Sequence, residues 1–233
     1  MTKQIKAPKT VKQNPAKFYR FTLLNLRLGF GQSLHVPQPQ KKEDGSIDES
    51  KKPKYNAPFI LELPEHNETA AFLVEVMKAV AEEKWPGKGD EMYEMLKEDN
   101  RVFLRKGSVR ADKPNYDEAY KGNLFFNAGA VTRPNLFDRY RVDGKVVTLT
   151  EDDTDKLYGG CYVNGTFEVW AQDSKDAKIG KRINIALAGV QHYADGKRLS
   201  GIEGASEDEY DFDDQPAPEE ADASGDDSLD FLS

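Results

Sequence analysis

The chain has 233 residues, a single cysteine, three histidines and a formal net charge of −8, with 38% hydrophobic against 32% charged residues. One cysteine excludes an intramolecular disulfide and a cysteine-built zinc site, and the widely spaced His35, His66 and His192 argue against a metal cage. No apolar run reaches the length of a membrane span and the basic start lacks the apolar core of a signal peptide, so a soluble, cytoplasmic protein working without a cofactor is expected.

The acidic total conceals an asymmetry. Positions 203–233 hold thirteen Asp and Glu and no Lys or Arg, which leaves 33 basic against 28 acidic residues in the rest of the chain. So charged a segment cannot bury enough apolar surface to offset the entropy of ordering, and a disordered acidic C-terminal tail is expected. The body is mildly cationic, and most of the twelve Phe, ten Tyr and two Trp lie in it, enough for a core.

In chain order, residues 1–16 carry Lys3, Lys6, Lys9 and Lys12 with Pro8 and Pro15, a flexible basic arm. Leu24, Leu26, Leu28 and Phe30 alternate with polar residues while Tyr19, Phe21 and Leu23 share the other parity. The pattern predicts one long strand over 18–31, bent or bulged near Leu23 and Leu24. Residues 32–54, rich in Pro, Gly and Lys, read as a long polar connection without regular structure, whose five lysines suit a flap along a phosphate backbone. A strand over 55–63 is followed by a helix over 67–85, with Asn67 as its cap, and a shorter helix over 90–98 burying Met92, Met95 and Leu96. Further strands are predicted at 101–105 and 123–131, a hairpin over 139–150 turned at Asp143-Gly144, and strands at 161–171 and 182–191.

About six strands with one helical insertion and no repeated βα unit predict a mainly β protein. The best fit is a small antiparallel Greek-key OB-fold barrel over 17–202 with long loops, and a β-sandwich is the rival.

Catalysis finds little support. There is no Gly-x-Ser-x-Gly turn and no phosphate loop. Glu151, Asp152, Asp153 and Asp155 could hold magnesium as in a nuclease, although a solvated acidic loop is the simpler reading. Binding of single-stranded nucleic acid fits better, because it needs cations for phosphates and flat rings for bases on one surface. Tyr162 and Trp170 project from the polar side of a strand whose other side supplies core, Phe103 and Phe125 stand outward on theirs, and Tyr19 flanks Arg20. Arg27, Lys54, Arg105, Lys106, Arg110, Arg133, Arg139, Lys181 and Arg182 complete the phosphate-contact candidates.

The blocks Tyr158-Gly159-Gly160-Cys161-Tyr162-Val163-Asn164, Phe167, Trp170 and Leu187-Ala188-Gly189-Val190-Gln191 carry a likeness, supported by Leu104-Arg105-Lys106-Gly107, 122–128, Arg133-Pro134 and 195–201 in the same order. Over roughly 17–215 the sequence resembles the single-stranded DNA-binding proteins of tailed bacteriophages. The resemblance implies an OB-fold barrel that coats single strands in phage replication, recombination and repair, with Arg105, Tyr158, Tyr162 and Trp170 as contacts. It also implies an acidic C-terminal tail. Tethered to the cationic body, a polyanion carrying Tyr210, Phe212 and Phe231 is expected to compete for the DNA groove and, once displaced, to recruit replication or recombination proteins through Leu229, Asp230, Phe231 and Leu232, with duplex DNA bound more weakly. The family's tail ends on a bare Phe, whereas here two residues follow Phe231. An acidic protein-interaction module or DNA mimic remains the alternative, ahead of a magnesium-dependent nuclease.

Overall fold

The computed structural model describes residues 5–14, 17–29, 32–42, 44–110, 118–150, 152–153, 155–175 and 180–199. The chain divides into two units, Met1–Ser200 and Gly201–Ser233, and every described residue lies in the first. The expected acidic tail, with Leu229, Asp230, Phe231 and Leu232, lies outside the described residues, as do Phe30, Gly31 and Glu151.

The described elements begin with β1 (Val11–Asn14), β2 (Lys17–Leu28), α1 (Gln32–His35) and β3 (Tyr55–Leu61), followed by α2 (Asn67–Lys84) and α3 (Gly89–Glu98). The second half is strand-rich: β4 (Arg105–Lys106), β5 (Leu124–Ala130), β6 (Asn135–Val142), β7 (Lys145–Thr148), β8 (Tyr162–Asp173) and β9 (Lys181–Ala194). This is a mainly β protein with few helices.

Period-two burial explains the central strands. On β8, Val163, Phe167 and Val169 are buried while Trp170 is 43% exposed. On β2 the buried set runs Phe21, Leu23, Leu26, Leu28, and its parity changes where Asn25 adopts a left-handed φ of 55° and the register against β8 slips. The bulge sits at Asn25, just past the expected Leu23-Leu24, because a short amide side chain tolerates that backbone region where leucine does not.

The pairings form a closed circuit. β2 pairs antiparallel with β3 and β8, β3 with β5, and β8 with β9, and Gly129 of β5 then pairs in parallel with Ala186 of β9. Phe59, Phe126 and Phe167, from three strands of that circuit, pack with ring centroids 4.9–5.5 Å apart and lie fully buried. Truncating one such ring to Ala typically costs about 3–5 kcal/mol. Helix α2 lays Phe72, Leu73, Val76 and Met77 onto the core, with Phe72 edge-on to Phe21 at 5.2 Å. The β6–β7 hairpin turns at Asp143 and Gly144, both at positive φ as the tight hairpin turn requires, and β6 pairs in parallel with β9.

Several expectations are corrected. Residues 11–14, assigned to a flexible arm, form β1 on the edge of β2, where Val11 is 6% exposed and joins the core. The apolar Ile5 and Val11 outweigh the lysines between them. The connection 32–54 is structured, with the turn of α1 burying Leu34 and His35 and bridges joining Gln38 to Lys54 and Lys41 to Ile47. The strand expected at 101–105 shrinks to Arg105–Lys106, so alternation does not apply there and Val102 and Phe103 are both buried. Phe125 does alternate, but Tyr120 covers it edge-on at 5.4 Å with Arg110 above, leaving it 3% exposed. Met95 lies 41% exposed, and α2 is capped at His66 without a side-chain bond, so Asn67 is its first residue and not its cap.

Gly160 joins the start of β8 to neighbouring chain, donating its N–H to Leu28 O at 2.8 Å. Its φ is +107°, and an added methyl would overlap the carbonyl oxygen of Lys197. Gly160→Ala is therefore expected to lower stability by more than about 2 kcal/mol. Gly87→Ala, at φ +77° with open space around it, should cost only about 1 kcal/mol. Urea unfolding of the two variants checks the contrast.

Candidate nucleic-acid interface

The outward residues of β3, β5, β8 and β9 meet the connection 32–54 across an open trough of about 930 Å³. Lys41, Lys51 and Lys54 come from the connection, Arg110 from the segment after β4, and Arg182 with Trp170 from the β8–β9 ladder. Among the described residues its lining contains no Asp or Glu. A smaller groove of about 180 Å³ shares Asn127, Arg182, Asn184 and Ile185 with the trough and continues past Arg101 and Arg105, again with no carboxylate among the described residues of its lining. The buried Phe103 and Phe125 also line this groove. The result is a continuous cationic channel with an exposed indole beside it.

Local chemistry holds these groups in place. Arg110 lies 4.7 Å from the Tyr120 ring centroid and 5.4 Å from that of Phe125, a cation–π arrangement that fixes its guanidinium at the trough edge. Lys54 exchanges two backbone hydrogen bonds with Gln38, at 2.8 and 2.9 Å, which leaves its side chain free to project. Lys51 is tied to Asp48 at 3.0 Å. The Ser50 hydroxyl, then the Lys51 ammonium, hold the Asp48 carboxyl down at about 2, so this acid stays ionised and part of Lys51's charge is cancelled. Lys41, Lys54 and Arg182 pair with no carboxylate among the described residues.

Of the residues singled out from the sequence, the channel gathers Lys54, Arg105, Arg110, Trp170 and Arg182. Others are placed elsewhere, most of them with partners. Tyr19 tucks its hydroxyl towards Ala79 O beneath α2, and burial followed by Glu83 pushes its pKa up. Arg20 faces Glu168 at 3.3 Å. Arg27 bonds Glu62 at 2.9 Å and Lys197 O at 3.1 Å, and Tyr162 donates to the same Glu62 at 3.0 Å. Burial, then Glu62, raises the Tyr162 pKa, so this phenol stays protonated as a hydrogen-bond donor. Arg139 and Tyr158 both reach Asp195, with Arg198 4.2 Å above the Tyr158 ring. Lys181 lies 5.7 Å over Trp85, Lys106 is exposed on β4, and Arg133 sits outside the trough lining. The half-buried Tyr162 thus belongs to a hydrogen-bonded network at the opposite end of β8 from Trp170, because the twelve residues of that strand carry the two far apart, and the half-buried Tyr158 lies just before the same end.

Sequence reasoning passed over Arg101 and the carboxamides Asn56, Asn127, Gln172 and Asn184. Outward parity on β5 signalled Asn127, and the register of β8 against β9, which no local pattern gives, brings Asn184 opposite Trp170. As for catalytic chemistry, the Cys161 thiol is buried and pushed up to about 12 by desolvation, far from a thiolate nucleophile. Asp153 is occupied in accepting from the N–H and hydroxyl of Thr150. Among the described residues no three His, Cys, Asp or Glu side chains are grouped to hold a metal, and no helix is long and apolar enough to cross a membrane.

The family described as the Enterobacter phage Enc34 ssDNA-binding protein matches residues 26–223. The chain belongs to this family. The Enc34-family chain is also 32% identical over 198 residues to protein p50 of Acyrthosiphon pisum secondary endosymbiont phage 1, covering 82% of this chain and 92% of that one. Among solved structures it is similar to the single-stranded DNA-binding protein of bacteriophage Enc34 in complex with ssDNA, with a TM-score of 0.60, 20% identity, and 84% and 96% of the two chains covered. A further solved structure of the single-stranded DNA-binding protein from bacteriophage Enc34 gives a TM-score of 0.59 at 19% identity, covering 88% and 97%. At such identities the likeness concerns the fold.

Within this Enc34-family member the Arg27–Glu62–Tyr162 network is only 15% and 24% exposed at its two charged side chains. Glu62→Gln should therefore cost about 1–3 kcal/mol, since it leaves a partly buried guanidinium under-compensated. The shift of the urea midpoint measures it.

Proposed function

We propose that this chain is a single-stranded DNA-binding protein that coats and protects single strands during phage DNA replication, recombination and repair in the cytoplasm of an infected bacterium. The observation that carries the reading is the cationic channel, with no carboxylate among the described residues of its lining and with the exposed Trp170 beside it. Its chemistry matches the two needs of single-strand binding, charge for phosphates and a flat face for bases. Family membership and the likeness to the Enc34 protein support the same reading.

The closed circuit β3–β2–β8–β9–β5 is, on this proposal, a five-stranded OB-type barrel. Its β2–β3 connection and outer β5–β8–β9 face form the DNA surface. Lys54, Arg105, Arg110, Trp170 and Arg182 are the contacts we carry forward, joined by Lys41 and Arg101. The protein needs no cofactor and performs no chemistry on the strand. Residues 203–233, a tethered polyanion at a high effective concentration, compete for the channel, set duplex DNA at a disadvantage, and when displaced recruit replication or recombination proteins through Leu229, Asp230, Phe231 and Leu232.

Trp170→Ala should weaken binding of a labelled oligothymidylate by roughly 5- to 150-fold, the equivalent of one lost stacking partner, with little change in melting temperature. Lys54→Ala should lower the slope of log affinity against log salt by about 0.7, one phosphate contact. Fluorescence anisotropy across a salt series reads both. Wild-type affinity for oligothymidylate no better than for a neutral polymer would reject the function, and shortening of the strand only when magnesium is added would favour the nuclease. In a second experiment, deletion of 203–233 should tighten single-strand binding and narrow the preference over duplex. Unchanged affinity at every salt concentration would remove the competition.

A further inference from the structure

The channel's walls and floor differ in chemistry. The long side chains Lys41, Lys54 and Arg110 stand around its rim, whereas the sheet beneath presents short neutral amides from adjacent strands: Asn56 on β3, Asn127 on β5 and Asn184 on β9. Gln172 on β8 adjoins them, accepting a hydrogen bond from Asn184 Nδ2 at 2.9 Å. That bond leaves the Asn184 carbonyl and the Gln172 amino group available. Neither Asn56 nor Asn127 engages its carboxamide in a hydrogen bond among the described residues, and both are exposed. Trp170 is the one aromatic ring in the trough lining among the described residues.

A neutral carboxamide adds little to the attraction of a phosphate, which ammonium and guanidinium groups on the rim already supply. It carries both an acceptor oxygen and two donor hydrogens, the combination that the edges of unpaired bases present in return. A single ring, moreover, stacks on only one or two bases, so the amide-lined part of the trough needs another kind of contact. We infer that bases enter the trough edge-first onto the floor formed by Asn56, Asn127 and Asn184, with phosphates on the rim, so that hydrogen bonding to base edges contributes to affinity alongside stacking on Trp170. This rests on the channel being the single-strand site. It gives that site a base-dependent component where charge and stacking alone would make it indifferent to base identity.

The register supports the geometry. Asn184 lies directly opposite Trp170 in the β8–β9 ladder, and Asn127 opposite Pro58 in the β3–β5 ladder. A base stacked on the indole therefore has amide groups within reach of its edge, and proline beside Asn127 offers a flat apolar neighbour with no competing N–H.

Difluorotoluene keeps the shape and stacking of thymine but loses its hydrogen bonding, which makes it the discriminating probe. Full-length protein should bind an oligothymidylate at least about fivefold more tightly than the same strand with difluorotoluene at every position, since each lost hydrogen bond is typically worth roughly two- to tenfold. The double variant Asn127→Ala/Asn184→Ala should bind the two strands alike while keeping its salt slope and melting temperature. Equal wild-type affinity for both strands would overturn the edge-first floor yet leave single-strand binding intact. A preference that persists undiminished in the folded double variant would also overturn it. Failure of the wild type to bind either strand would reject the channel's function and this inference with it. The wild-type comparison needs no mutant, so it stands even if the double variant fails to fold.

Discussion

The architecture depends on one close approach, where β5 meets both β3 and β9 at Gly129. That residue is opposite Asn56 on one side and Ala186 on the other, and a Cβ there would sit 2.8 Å from the Tyr55 carbonyl oxygen. Only a residue without a side chain lets the three strands converge and the circuit of pairings close. Closure then divides the strands into two populations. Phe59, Phe126 and Phe167 fill the interior, and the residues between them, Asn127 and Trp170 among them, must face out. The channel is the outer consequence of an aromatic core.

Charge placement does the rest. Away from the channel, basic residues are matched by acids, Arg20 by Glu168, Arg27 by Glu62, Lys78 by Asp90 and Arg139 by Asp195. The more exposed of these pairs contribute little to stability and the partly buried Arg27–Glu62 contributes more, but all of them flatten the local potential. Along the channel, where no carboxylate stands among the described lining residues, the basic side chains leave the field positive, and low-dielectric walls concentrate it. A chain that is acidic in total thus keeps one surface suited to an anion.

Much of this was legible in the residues. Alternation on β8 foretold an exposed Trp170 over a buried Phe167, and Asp143-Gly144 announced the hairpin, because both signals are local. The errors were tertiary. Phe125 has the parity of an exposed ring, but Tyr120 and Arg110, brought over it from outside its own strand, cover it. Phe103 was read by an alternation that a two-residue strand cannot impose. Tyr19, Tyr158 and Tyr162 each found a hydrogen-bonding partner distant in sequence, respectively Ala79, Asp195 and Glu62, and no spacing rule foresees such partners. Among equally basic positions, membership in the channel was decided by which strands and connections the fold brings together, which is a property of the folded surface and not of any segment.

The start of the chain has a practical bearing. Val11 faces Leu23 across the β1–β2 ladder, the Thr10 carbonyl accepts from Leu24 N–H at 2.9 Å, and the Thr10 and Thr69 hydroxyls meet at 2.7 Å. Trimming the lysine- and proline-rich leader to obtain a tidier recombinant fragment would unzip an edge of the sheet, bare the flank of Phe21 and Phe72, and detach a clasp between sheet and helix. What looks like dispensable packaging at the amino end is part of the molecule's hull.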